Sequence, residues 1–411
     1  MSAKRSLPRV CPSCEFETGA LVAVLTAQPL GGTLDYLAPA GGCDRGDFVE
    51  VPLGPRRVLG VVWGAGEGGF DLARAKPVAR VLDLAPMDAG MRGFLERAAA
   101  YTLTPLPAML RLATRAPRLM DPPGAHKVYR PGEATPDRMT DARARVLEVL
   151  RAHGGMGFGL RDLCDLAGVS TSVVKGLVAQ GALIEAEAPR DAPYSRLDPG
   201  RPARELTEDQ ARAAAALCEG VRAGGYGTTL LRGVTGSGKT EVYLEAVAAC
   251  LAGGRQALVL LPEIALTAEF IDRVEARFGA RPAEWHSGAG QAERRRIWKM
   301  VGEGGVQLVV GARSALFLPF RDLGLIVVDE EHDPSYKQED GVLYHARDMA
   351  VLRAALGGAR VVLASATPSL ESWANAEAGK YQRLDLSARF GVAALPAMRA
   401  IDMRAETLPA S

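Results

Sequence analysis

The segment from Gly233 to Thr240 constrains this chain more than any other. It runs Gly-Val-Thr-Gly-Ser-Gly-Lys-Thr and satisfies the phosphate-binding pattern G-x-x-x-x-G-K-[ST]. The apolar run TTLLRG precedes it and a helical pattern follows, so the loop sits at a strand-to-helix turn. Gly233, Gly236 and Gly238 let backbone amides curl around phosphate oxygens with no Cβ in the way. Val234, Thr235 and Ser237 complete the loop. Lys239 brings a point charge for the terminal phosphates, and Thr240 a hydroxyl for Mg²⁺. The helix N-terminus adds its positive dipole end. A glycine-rich turn that binds nothing is the competing reading, and the strand–loop–helix setting weighs against it.

A second run, Leu325-Ile-Val-Val, ends in Asp329-Glu330-Glu331-His332. A buried strand here delivers acids at its C-terminal end, where α/β sheets place ligands. Asp329 is placed to hold Mg²⁺ through water, Glu330 to polarise an attacking water, and His332 to sense the γ-phosphate or the next motif. Solvated acidic surface is the plainer alternative. TTLLRG, ALVLLP, VQLVVG, LIVVDE and RVVLAS alternate with helical stretches from Leu206 onward. Such short apolar runs suit strands buried on both faces of a parallel sheet, so an α/β layered domain is expected over 205–411.

A chain of 411 residues is too long for one core. Residues 1–19 read as a disordered extension, and 20–115 as a β-rich domain with strands LVAVLTA, DYLAP, DFVEVPL and RVLGVVW. The Pro/Arg/Gly-rich stretch 116–140 reads as a linker. Residues 141–188 read as helix, tight turn, helix and short strand, a helix-turn-helix of the winged type with Lys175 on its recognition helix. Its low positive charge leaves a spacer or protein-contact role equally open. A second linker spans 189–204.

Net charge is +1, so any nucleic-acid contact must come from local patches. The cysteines at 11, 14, 43, 164, 218 and 250 are too scattered for a disulfide framework, which points to a reducing cytoplasm. No run reaches the length that spans a bilayer, and no membrane role is expected. Cys11-Pro-Ser-Cys14 lacks a second pair for structural zinc.

Further segments narrow the reading. Leu206-Thr-Glu-Asp-Gln210-Ala, Pro262-Glu-Ile-Ala-Leu-Thr267, Gly311-Ala-Arg313-Ser314-Ala-Leu-Phe, Asp333-Pro-Ser-Tyr336-Lys337-Gln through Tyr344-His345-Ala-Arg347-Asp, and Ser365-Ala-Thr-Pro-Ser369 follow one another in order. With the phosphate loop and DEEH, this series resembles the bacterial replication-restart helicases of the PriA family, within superfamily 2, over about residues 20–405. The resemblance implies a RecA-like helicase lobe behind a 3′-DNA-end-binding domain and a winged helix. It implies an ATP- and Mg²⁺-dependent 3′→5′ DNA helicase that acts at stalled forks, with primosome proteins and single-strand-binding protein as partners. Gln210 becomes an adenine reader, and Thr267, Arg313 and Ser314 become contacts to single-stranded phosphates. Tyr336, Lys337, Tyr344 and Arg347 belong to an aromatic-rich loop that stacks on bases and neutralises phosphates. Asp35 would accept a hydrogen bond from a terminal 3′-OH, Tyr36 would pack beside the last base, and Arg56 and Arg57 would hold phosphate.

The family's second lobe, with its arginine finger and its paired C-x₂-C zinc clusters, has no counterpart before Ser411. A chain lacking it is expected to bind ATP weakly and hydrolyse it poorly. A fork-binding fragment without motor activity is the alternative function.

Overall fold

The computed structural model describes residues 14–68, 74–121, 125–152, 157–189, 193–262 and 268–386. The first domain opens with strands β1 (Leu21–Thr26), β2 (Leu34–Leu37), β3 (Phe48–Leu53), β4 (Arg56–Ala65) and β5 (Arg80–Val81), in the order β2-β1-β4-β3-β5. All its pairings are antiparallel. Strand alternation divides its side chains between two cores. Val24, Val49 and Val62 pack with Tyr36 on one side, while Leu25, Phe48 and Val61 face the other. Residues 14–19 are ordered, against the expected disordered extension. Phe16 and Cys43 exchange backbone hydrogen bonds of 3.0 Å, and the buried Phe16 ring caps the first of these cores. Helices α1 (Ala89–Tyr101) and α2 (Leu106–Ala113) follow. Asp88 caps α1, its carboxylate accepting from the Met91 amide at 2.6 Å.

The expected linker 116–140 is also corrected. Ala116 and Leu119 are buried, and strand β6 (Ala125–Pro131) pairs antiparallel with β7 (Leu183–Pro189). Pro131 ends β6 and Arg130 is exposed, while Val128 and Tyr129 of the same strand are buried, so this is not free chain. Between the two strands lie α3 (Asp141–Ala152), α4 (Leu160–Ala167) and α5 (Thr171–Ala179). Gly168, at φ +60, supplies the left-handed turn between α4 and α5. Val146, Leu150, Leu163, Val174 and Leu177 form a core of their own. The second expected linker is held down over its described part. Leu197 is buried and its amide donates to Gln307 Oε1 at 2.8 Å. The Asp198 amide donates to the Phe278 carbonyl at 2.9 Å.

The largest domain runs α6 (Glu208–Ala223), β8 (Gly227–Gly233), α7 (Lys239–Ala252), β9 (Gln256–Leu260), α8 (Ala268–Phe278), β10 (Ala283–Trp285), α9 (Gln291–Glu303), β11 (Leu308–Gly311) and β12 (Leu323–Asp329). After a short hairpin, β13 (Lys337–Gln338) and β14 (Tyr344–His345), come α10 (Ala346–Gly357), β15 (Arg360–Ser365), α11 (Leu370–Glu377) and β16 (Gln382–Leu386). Its sheet has the order β10-β11-β9-β12-β15-β8-β16. Every neighbour pair is parallel. This is the α/β, RecA-like architecture.

Alternate residues again serve opposite faces. Leu231, Val259, Val310, Val327 and Val362 meet α6, α7 and α8. Leu230, Leu258, Val309, Ile326 and Val361 meet α9, α10 and the helices of the first domain. The first domain therefore shares a core with the lobe. Phe48 stands edge-on to Trp298 at 5.3 Å, and Trp298 Nε1 donates to the Ala113 carbonyl at 2.7 Å. Phe94 lies 5.6 Å from Phe317. Arg353 on α10 packs beside this pair, with its guanidinium 5.8 Å from the Phe94 ring and 5.3 Å from that of Phe320. It donates to the Leu318 carbonyl at 2.8 Å, and full burial pushes it down to about 10. No helix among the described residues is long and apolar enough to cross a membrane.

Candidate nucleotide and DNA site

The phosphate loop joins β8 to α7 and is braced from upstream. Thr207 and Gln210 form a reciprocal cap at the start of α6. Gln210 Oε1 accepts from the Thr207 amide at 2.9 Å, and its Nε2 donates to the Ser237 carbonyl at 2.9 Å. Gln210 is thus first a brace for the loop. Gly238 lies at φ +79, and a Cβ there would stand 2.3 Å from Gln210 Nε2. Gly236 shares that φ, and a Cβ there would meet no atom within 4 Å, so the loop is open on that side. Val234 is exposed. Lys239 is almost fully buried; its Nζ donates to the Gly233 carbonyl at 3.0 Å and lies 3.5 Å from Glu330 Oε1. Ser237 Oγ is buried with no hydrogen-bond partner among the described residues. An open cradle of amides, an unspent hydroxyl and a cation held by weak local acceptors fit a nucleotide phosphate. Thr235, Thr240, Asp329, Glu330, Arg204 and Arg273 also line this cleft of about 400 Å³.

The acidic strand end closes the cleft. Asp329 Oδ2 accepts from the Tyr243 hydroxyl at 2.9 Å, and its Oδ1 from the Glu330 amide at 3.0 Å. Desolvation pushes the Asp329 carboxyl up to about 6; the Tyr243 hydrogen bond opposes the rise and the Glu330 charge adds to it. Glu330 adopts φ +47, a strained conformation for a residue with a Cβ. His332 Nδ1 lies 2.8 Å from Ser365 Oγ, which also accepts from the Thr367 amide at 3.0 Å. This ties DEEH to the Ser365–Ser369 segment. Among the described residues no cluster of three or more His, Cys, Asp or Glu could hold a metal ion. Mg²⁺ needs none, since it is usually held by one or two carboxylates together with phosphates and water. Asp329 and Thr240 both line the cleft and carry oxygens of the kind Mg²⁺ takes.

The expected DNA contacts divide. Arg313 Nη1 donates to the Ser335 and Lys337 carbonyls, both at 2.8 Å, so it holds the loop as well as facing outward. Ser314 Oγ accepts from Trp285 Nε1 at 3.1 Å. Lys337 is exposed and lies 3.0 Å from Glu339. Thr267 lies outside the described residues. Three expectations are corrected. Tyr336 is 1% exposed, its hydroxyl donating to the Leu260 carbonyl at 2.9 Å and the Asp329 carbonyl at 2.7 Å. Tyr344 is 5% exposed and edge-on to Phe317 at 5.2 Å. Neither can stack on a base. Arg347 is 7% exposed and ion-paired with Glu331 at 3.3 Å and Asp348 at 2.8 Å, so it is not open to phosphate.

In the first domain, Asp35 and Tyr36 line a cleft of about 490 Å³ with Thr33, Pro52, Arg74 and Lys76. Asp35 Oδ2 accepts from the Gly68 amide at 2.9 Å. The Tyr36 ring belongs to the core and its hydroxyl donates to the Pro52 carbonyl at 3.0 Å, so it walls the cleft rather than standing free in it. Arg56 is exposed, and Arg57 lies 3.4 Å from Glu50. Sequence reasoning missed two residues here. Tyr243, one helical turn after Lys239, was recoverable from its i+4 spacing. Glu331 was hidden by its more conspicuous neighbours, and nothing local marks it as buried.

A phosphate loop, an acid-bearing strand end and a tied Ser-Ala-Thr turn on one parallel sheet define a nucleotide-dependent helicase lobe. The DEAD/DEAH box helicase model matches residues 207–376, and the 3′DNA-binding domain (3′BD) model matches residues 22–115. The replication restart protein PriA of Bacillus subtilis is 41% identical over 254 residues, 61% of this chain and 32% of that protein. PriA of Rickettsia felis is 47% identical over 204 residues, 50% and 31% of the two chains. PriA of a Synechocystis species is 42% identical over 277 residues, 66% and 33%. The chain matches both domain models and is similar to the PriA replication restart proteins, of whose length it spans about a third. Among solved structures, RecG bound to a three-way DNA junction is similar at 23% identity and TM-score 0.35, over 44% of this chain and 24% of that one.

Proposed function

We propose that this chain forms the nucleotide- and fork-binding front of an ATP-driven 3′→5′ DNA helicase that reloads replication at abandoned forks. The observation that carries the reading is the convergence of Lys239, Asp329 and Glu330 on one cleft that the phosphate loop also lines. Lys239 leaves the Gly233 carbonyl for the terminal phosphates. Thr240 and Asp329 would hold Mg²⁺, which would neutralise charge on the phosphates. Glu330, freed from Lys239, orients the attacking water, and His332 carries the state of the cleft to Ser365. Gln210 fixes the loop and offers its remaining N–H towards adenine. Arg313, Ser314, Lys337 and Thr267 track a single strand, and the Asp35 cleft takes a 3′ end. The module of α3–α5 with the β6–β7 ribbon acts as a winged helix. Primosome proteins and single-strand-binding protein are the partners, in the cytoplasm.

The test measures ATP binding and hydrolysis by the purified chain, with and without forked DNA bearing a free 3′ leading end. Lys239→Ala is expected to weaken nucleotide binding by at least about tenfold, through loss of a charge-assisted contact, with the fold intact. Unchanged binding in that variant overturns the site. A second reading, fork binding without a motor, is favoured by the Asp35 cleft, which shares no lining residue with the nucleotide cleft. It predicts fork affinity indifferent to ATP and to Lys239→Ala.

A further inference from the structure

A guanidinium offers an edge of N–H groups that takes an anion and a flat face that stacks on an aromatic ring. Two of them line the nucleotide cleft, Arg204 from the segment before α6 and Arg273 from α8. They come from separate parts of the chain and share one carboxylate. Glu241 Oε1, in the first turn of α7, lies 3.8 Å from Arg204 Nη1 and 3.7 Å from Arg273 Nη1. That carboxylate stands beside the phosphate loop, since a Cβ at Gly238 would be 3.7 Å from Glu241 Oε2. The backbone that carries Arg204 is pinned. Arg277 Nη1 donates to the Arg201 carbonyl at 2.7 Å, while Arg277 Nε and Nη2 donate to Glu245 at 2.7 and 3.1 Å. Pro202, Leu206, Leu244 and Ala276 line a pocket of about 70 Å³ that shares Arg204, Glu241 and Arg273 with the cleft. Apolar side chains thus adjoin the pair, and a cation–ring contact strengthens as water is excluded.

Glu241 answers the two arginines at their edges and leaves their faces unspent. Among the described residues neither guanidinium lies over a ring of the protein, and no aromatic side chain lines the cleft. A nucleotide whose phosphates lie on the loop still has a flat ring to place. Gln210 spends Oε1 on the Thr207 amide and one N–H on the Ser237 carbonyl, so it has only an edge contact to give. We propose that Arg204 and Arg273 are the base platform of this cleft: their planes stack on the heterocycle of a purine nucleotide, and Glu241 holds them in position. A purine presents a larger face than a pyrimidine, so the platform selects purine nucleotides. The proposal rests on the nucleotide reading above.

Two exposed cation–ring contacts together amount to about five- to thirtyfold in affinity. The experiment measures binding of three ligands to the purified chain with Mg²⁺: a non-hydrolysable ATP analogue, the matching CTP analogue, and tripolyphosphate, which has phosphates and no base. The wild-type chain is expected to hold the ATP analogue at least about fivefold more tightly than either of the others. The double variant Arg204→Ala/Arg273→Ala also removes two charges, which weakens every phosphate ligand, so the readout is the ratio of ATP analogue to tripolyphosphate affinity. That ratio is expected to fall to about one. Arg204→Lys/Arg273→Lys keeps both ion pairs with Glu241 and loses both planes, and it tests the platform even where the alanine pair unfolds. It is expected to bind tripolyphosphate within about twofold of wild type while the ratio falls by at least about threefold.

An alanine pair that keeps the wild-type ratio overturns the proposal, because the arginines then act by charge alone. So does a lysine pair with the full ratio, or a wild-type chain that holds the ATP analogue no more tightly than the CTP analogue or tripolyphosphate. A wild-type chain that binds none of the three sinks the nucleotide reading itself, and the two failures are thereby distinguished.

Discussion

Gly238 answers to two constraints, a left-handed backbone and the Gln210 amide standing where a Cβ would be. Gly238→Ala is expected to cost about 1–3 kcal/mol of stability and to displace the phosphate loop, which calorimetry and nucleotide titration would read together. Asp329 sets a pH dependence. Its folded value, about 6, lies above the ordinary carboxylate range, so the folded chain holds its proton more tightly than the unfolded one. Without Mg²⁺, the Asp329 contribution makes stability fall as pH rises from about 4 to about 6 and then level off. Mg²⁺-nucleotide affinity runs the other way, weakening as pH drops below about 6 because the ligand must be ionised. Tyr243→Phe removes a hydrogen bond that holds the value down, so the midpoint of that affinity profile should move to higher pH. An unmoved midpoint would disprove the role given to Tyr243. At this scale the sequence was informative where function demands a residue type, as in the glycines and Lys239. It was silent on Glu331, because burial of a charge depends on partners far along the chain.

Among elements, the lobe strands were legible because a strand covered on both faces reads as an unbroken apolar run, as in LIVV before Asp329. The 333–347 segment was not. Tyrosine and arginine are amphipathic, and composition cannot tell a ring turned to solvent from one buried under a hydrogen-bonded hydroxyl. Tyr336 shows the difference. Its hydroxyl bridges the Leu260 and Asp329 carbonyls at the ends of adjacent strands. Tyr336→Phe is expected to cost about 1–3 kcal/mol by leaving those acceptors short of a donor, measured by denaturant unfolding. Strand β6 escaped for a related reason: its proline and arginine content resembles a linker, and only its pairing with the distant β7 makes it a strand.

For the whole molecule, the shared core around Phe48, Phe94, Phe317 and Trp298 means the first domain and the lobe should unfold together. The module of α3–α5 has its own core and should melt apart from them. Calorimetry is expected to resolve these as separate transitions. Trp298→Ala, at about 3–5 kcal/mol, should lower the shared one only.

The last described strand adds a consequence for solubility. Strand β16 lies against β8 from Gln382–Thr229 to Leu386–Gly233 and turns the most functional strand of the sheet from a rim into an interior one. Removing it would leave a flat apolar edge, Leu230 and Leu231 included, with its amides and carbonyls bare, the kind of surface on which one molecule recruits the next. A strand that contributes no residue to the lining of the nucleotide cleft thus covers the edge from which self-association would start.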